Sequence, residues 1–127
     1  MNTSEVLNRA ADLIQERDWT QGDGWPWDGS PTSPLCLEGA IIVAANVADG
    51  IAGRTLVQTC PAAKAVHEYL NLAAEWALWE WNDGWNDGLL GAPMEFVERT
   101  ADEVIETLRA AAVIEAAKES QAAGVSA

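Results

Sequence analysis

The chain has 127 residues, about half of them apolar, and a formal net charge of −13 from 20 acidic side chains against seven Lys and Arg. That length matches one domain of modal size, and the composition supplies enough apolar side chains for a core and argues against a disordered chain. Acid predominates along the whole chain, which argues against direct binding to a nucleic-acid backbone or an anionic membrane, since both need clustered cations.

A first helix is predicted from Thr3 to Arg17, with Val6, Leu7, Ala10, Leu13 and Ile14 on one face. Asn2 or Thr3 can cap it, and Glu5 falls in the first turn, where the helix dipole favours negative charge. This amphipathic opening lacks the basic start and apolar run of a signal peptide. Trp19, just past the helix, is expected to fold back onto the apolar stripe. Residues 20–34 contain three Gly and three Pro and read as a loop. Its Trp25 and Trp27 either tuck over the core or stand exposed as a pair that binds a partner.

Ser33 followed by Pro34 is a hydroxyl cap and a first-position proline, so a second helix is predicted from Pro34 to about Ala48. Leu37, Ala40, Ile41, Ala44 and Ala45 form a broad apolar face, and Ile42 and Val43 widen it almost all round, which marks a central helix. Gly39 and the run of Ala would let neighbouring helices approach closely. Residues 51–58 form either a helical turn or a short extended piece. Thr59 and Pro61 repeat the cap-and-proline arrangement and open a third helix, about Pro61 to Leu78, with Val66, Tyr69, Leu70, Ala73, Trp76 and Ala77 as its stripe.

Next comes a tandem repeat, Trp81-Asn82-Asp83-Gly84 and Trp85-Asn86-Asp87-Gly88, whose Asn-Asp-Gly signals turns. Residues 82–98 are a long connection with room for a helical turn around Met94 to Val97. Thr100 and Glu103 form a capping box that opens the last helix, in which Val104, Ile105, Leu108, Ala111 and Ala112 follow at helical spacing. A hairpin at Leu78 to Trp81 is the strand most easily missed. The predicted fold is all-α, a compact bundle of about four helices with two Trp-rich loops. It forms one domain over residues 1–119, with a frayed tail over 120–127. The longest apolar run, Gly39 to Ala45, falls far short of the ~20 residues that span a bilayer. The expected location is the cytoplasm, with Cys36 and Cys60 reduced; a disulfide between them is the alternative in an oxidising compartment.

Four short stretches occur in order: Trp19-Thr20-Gln21-Gly22, Cys36-Leu37-Glu38-Gly39-Ala40, Trp81-Asn82-Asp83, and Arg99-Thr100 with Glu103-Val104 and Leu108. The ordered set resembles a family of small, uncharacterised bacterial and phage proteins, over roughly residues 5–112. The chain departs from that pattern in its second Trp-Asn-Asp-Gly copy and in the longer stretch before Arg99. The resemblance implies a helical fold and an accessory role in a bacterium or phage. It brings no reaction with it.

Three kinds of chemistry fit the residues. Cys36 falls in the first turn of the second helix, where the dipole lowers a thiol pKa, and His67 and then Asn82 follow in the order of papain-like enzymes. Order alone is a thin signal, no oxyanion-hole pattern accompanies it, and His67 lies mid-helix between Val66 and Glu68. The loop Asp83 to Gly88 resembles the first half of a calcium loop, but Trp85 stands where a ligand is needed and Met94 where a glutamate is needed. Two Cys and one His match no common zinc site, so no metal or cofactor is expected. The leading expectation is recognition. Trp25, Trp27, Trp79, Trp81 and Trp85 crowd with Asp83 and Asp87 into two loops or their borders, a surface suited to a basic protein partner. The alternative is that the two loops pack on each other as a second small core. The sequence thus reads as a noncatalytic protein-binding or regulatory module acting on a host protein. A thiol enzyme using Cys36 and His67 is the runner-up, and a nucleic-acid mimic, resting on charge alone, is the third reading.

Overall fold

In the computed structural model, which describes residues 1–21, 32–47, 53–72, 78–86 and 95–126, the first helix, α1, runs Thr3–Arg17 as the periodicity predicts. Asn2 caps it. The Asn2 side chain accepts from the Glu5 N–H at 2.9 Å, and the Glu5 carboxylate accepts from the Asn2 N–H at 3.4 Å, so two donors near the helix start find partners. Val6, Leu7, Ala10, Ala11, Leu13 and Ile14 bury one face. Asp18 then turns the chain with a φ of 70°, and Trp19 comes to pair in parallel with Leu35. The Leu35 N–H donates to the Asp18 carbonyl at 3.0 Å and the Thr20 N–H to the Leu35 carbonyl at 3.2 Å.

That pairing moves the start of the second helix. α2 spans Leu37–Ala45 rather than Pro34 to Ala48, because Leu35 is held extended against residues 18–20. Cys36 becomes the cap in place of Ser33, its sulfur accepting from the Gly39 N–H at 3.3 Å. Asn46, left-handed with φ 56°, closes the helix. α2 buries Leu37, Glu38, Gly39, Ala40, Ile41, Ile42 and Ala44 and packs against α1 and two helices that follow, so it is central as predicted. Gly39 serves a different approach from the one expected. A Cβ there would meet Leu35 Cδ2 at 3.4 Å and Cys36 Sγ at 3.5 Å, so its neighbours are the residues that lead into its own helix.

Of residues 51–58, those from Gly53 onward are helical, in α3 (Gly53–Thr59), and residues 51–52 lie outside the described residues. Cys60, not Thr59, precedes α4 (Pro61–Leu70), and Pro61 takes its first turn. The Thr59 hydroxyl instead donates back to the Thr55 carbonyl at 2.7 Å. The third predicted helix continues to Leu78, but α4 stops at Asn71, whose left-handed φ of 55° lets the N–H groups of Asn71 and Leu72 close on the Glu68 and His67 carbonyls. Trp76 and the rest of residues 73–77 lie outside the described residues. A short helix, α5 (Leu78–Asn82), takes the segment where a hairpin would be the strand most easily missed, and it includes Asn82, read as the first residue of an Asn-Asp-Gly turn. The turn follows at Asp83 and Gly84, with Gly84 at φ 103°. β1 (Trp85–Asn86) then pairs antiparallel with β2 (Glu95–Phe96), in place of the helical turn predicted around Met94.

The last helix, α6 (Ala101–Ser126), starts where the capping pattern predicts. The Thr100 hydroxyl accepts from the Glu103 N–H at 3.2 Å. α6 lies antiparallel along α1. Ser4 donates to Glu119 from its N–H (3.1 Å) and its hydroxyl (2.7 Å), and at the other end Arg109 reaches Asp12 at 2.8 Å. The helix continues through residues 120–126, predicted as a frayed tail. The described residues thus hold six helices and one two-residue ladder, so the fold is all-α, with more helices than the four expected. Leu7 and Ile14 of α1, Leu37 and Ile41 of α2, Leu56 of α3, Val66 of α4, Leu78 of α5 and Val104 and Leu108 of α6 are almost completely buried in one cluster. Among the described residues, no helix is long and apolar enough to cross a membrane.

Candidate functional site

The most densely bonded place in the fold is the junction where the chain before α2 meets α5. Asn82 is completely buried there. Its Oδ1 accepts from Trp19 Nε1 at 2.6 Å and from the Leu37 N–H at 3.0 Å; its Nδ2 donates to the Thr20 carbonyl at 3.0 Å and to Asp83 Oδ1 at 3.4 Å. Its own carbonyl accepts from Gln21 Nε2 at 3.0 Å. The Leu37 N–H is one of the donors that a helix start leaves unbonded, so Asn82 completes the cap of α2 from 45 residues away.

Glu38, also completely buried, accepts from the Trp79 N–H at 3.1 Å and so ties α2 to the first turn of α5. Arg99 holds the other end of α5. Its Nε donates to the Trp81 carbonyl at 3.1 Å, its guanidinium lies 4.0 Å from the Trp81 ring centroid, and its Nη1 donates to Glu103 at 3.0 Å. Planar, weakly hydrated guanidinium tolerates such burial where an ammonium would not. The four stretches that carry the resemblance therefore meet: Trp19 to Gln21, Cys36 to Glu38, Trp81 to Asp83, and Arg99 with Glu103. Among the described residues, no buried side-chain nitrogen or oxygen lacks a partner. The junction is a closed polar knot that fixes four chain segments, with Asn82 at its centre.

The predicted thiol site takes a different form. Cys36 is the cap of α2 rather than a first-turn residue, and burial pushes its thiol above its ordinary value, outweighing the opposing bond from the Gly39 N–H. A raised thiol holds less thiolate at neutral pH, opposite to the lowering expected from the helix dipole. Cys36 and Asn82 do come together, through the backbone of Leu37, but the sulfur faces the Gly39 N–H and the Asn82 amide serves the knot. His67 is buried in the last turn of α4. Both cysteines are free thiols.

The predicted recognition residues separate. Trp81 is buried beneath Arg99 and belongs to the core. Trp79, two positions earlier, is 43% exposed, as expected when two residues lie about 200° apart around a helix. Asp83 is partly exposed beside it in the turn. Trp25, Trp27 and Asp87 lie outside the described residues, as does the Trp85 side chain. Among the described residues, no group of three or more His, Cys, Asp or Glu is placed to hold a metal ion. Sequence reasoning missed Glu38 and Arg99. A charged residue in the apolar face of a central helix was the visible sign for Glu38; Arg99 stood in a quoted stretch without a role.

The model of DUF6197, a family of unknown function, matches residues 1–113, and the chain belongs to that family. No curated protein and no solved structure matches the chain. The matched span ends inside α6, so residues 114–126 extend that helix beyond it.

Proposed function

We propose that the chain is a noncatalytic protein-binding module and that Trp79 is the centre of its contact surface. The observation that carries this reading is the split between neighbouring tryptophans: Trp81 is buried, whereas Trp79 keeps 43% of its surface in solvent. An exposed indole contributes nothing comparable to folding, and tryptophan is the side chain most enriched at interface hot spots. Its platform is rigid from behind, since Glu38 holds the Trp79 N–H and Arg99 holds the Trp81 carbonyl. A pre-organised anchor loses little freedom when a partner covers it.

Glu80 and Asp83 flank Trp79 in sequence, and the whole chain carries −13. A Lys- or Arg-bearing partner fits this setting, because its cations stack on indole and its approach is steered by the field of the chain. The resemblance to bacterial and phage proteins points to an accessory role on a host protein, in a cytoplasm that keeps Cys36 and Cys60 reduced. Affinity capture from the source organism tests the reading. The wild-type chain should retain one basic protein that is released at high salt, and Trp79→Ala should lose it while keeping the wild-type unfolding transition. Retention of the same protein by Trp79→Ala, or capture of none, would refute the proposal.

A further inference from the structure

Between α4 and α6, away from α5, lies a groove of about 190 Å³. Its apolar lining includes Ala111, Ile114 and Tyr69, the last two each more than two-fifths exposed. Its charged lining is Glu68 from α4 and Glu115 and Lys118 from α6. Lys118 Nζ lies 3.0 Å from Glu115 Oε2, and the Glu68 carboxylate also acts on that ammonium; both raise the Lys118 pKa, Glu115 the more. Both carboxylates thus line the groove together with one alkylammonium that is ion-paired to Glu115, and an apolar and aromatic surface adjoins them.

We infer that this groove docks a Lys- or Arg-bearing segment of a basic protein, whose cation takes the place of Lys118 between Glu115 and Glu68 and whose neighbouring apolar side chain covers Tyr69 and Ile114. Charge complementarity argues for this occupant. The groove carries two carboxylates for one internal cation, on a chain of net charge −13. The internal cation is easily displaced, because the Lys118 side chain is 60% exposed whereas Glu115 is 19% exposed, and exposed ion pairs are weak. Lys118 is therefore a resident competitor for the site. Ile114, Glu115 and Lys118, three of the seven lining residues, lie beyond the matched residues 1–113.

The test uses the full chain and a fluorescein-labelled octapeptide of alternating leucine and lysine, with anisotropy for affinity and amide shift mapping for location. Lys118→Ala should tighten binding about fivefold and Glu68→Gln should weaken it about fivefold, the scale of one exposed ion pair. Arg9→Ala makes the same change in net charge on α1, outside the groove lining, and should leave affinity within about twofold. Shifts should centre on residues 65–69 and 111–118. Trp79→Ala should not alter peptide binding. Equal effects of Arg9→Ala and Lys118→Ala would mean that binding follows net charge and would overturn the inference, as would shifts centred elsewhere or no binding. Loss of peptide binding in Trp79→Ala alone would overturn it too, while leaving the proposed Trp79 surface standing.

Discussion

Replacing Asn82 by alanine should be among the most destabilising single changes in the chain. The substitution removes an acceptor shared by Trp19 Nε1 and the Leu37 N–H and a donor to the Thr20 carbonyl. Leu37 is completely buried, so its orphaned N–H bears nearly the full desolvation cost, about 1–3 kcal/mol. Trp19 and Thr20 are partly exposed, so water recovers some of their loss, and each adds about 1 kcal/mol. Together these give a loss of about 3–5 kcal/mol, before any cavity cost. For a domain of this size that lowers Tm by roughly 12–20 °C, at about 4 °C per kcal/mol. Urea unfolding followed by helical circular dichroism measures the loss. A loss below about 1 kcal/mol would refute the view that Asn82 ties the junction together.

The Cys36 thiol, buried and raised, should react with iodoacetamide at neutral pH at least ~100-fold more slowly in the native chain than in the urea-unfolded one; comparable rates, read by mass spectrometry, would contradict its assignment as a structural cap. Because its folded pKa lies above the ordinary 9.0, the native chain keeps a proton that the unfolded chain releases. The stability advantage of wild type over Cys36→Ala should hold below pH 9.0 and shrink as pH rises further, and a constant advantage up to pH 11 would contradict it. Gly39→Ala adds a methyl at 3.4–3.5 Å from Leu35 and Cys36 and gains helix propensity of up to about 1 kcal/mol, so stability should rise slightly or hold; a loss above about 1 kcal/mol would show that the contact cannot give. Removing residues 120–127 takes away mostly exposed helix and should change stability by under about 0.5 kcal/mol, whereas Glu119→Ala, which frees two bonds to Ser4, should cost about 1–2 kcal/mol.

The parts of the fold that follow from short-range rules were legible in the sequence. The start of α1 and the start of α6 rest on side chains that satisfy backbone donors three residues away, and such patterns can be read directly. The start of α2 was not legible, because Ser33 and Pro34 carry an equally good local pattern and lose to a long-range pairing of Leu35 with residues 18–20. Sulfur is also a weak acceptor, so Cys36 gave no warning that it would cap. The end of α4 was hidden because the apolar spacing of Leu70 and Ala73 continues past Asn71, which breaks the helix by taking a left-handed conformation. At the candidate site, the sequence marked the four stretches but not that they meet. The bonds that join them cross 18 to 63 positions, and only the fold reveals that Asn82 and Trp81 face inward while Trp79 faces out.

Site-specific photo-crosslinking tests the central claim, that Trp79 is a partner-binding surface, most directly. A benzophenone side chain at position 79, in chains expressed in the source organism and irradiated, should give one discrete cross-linked protein, and the same group at Glu16, exposed on α1, should not. Equal products from both positions, or none from position 79 in a folded chain, would contradict the account.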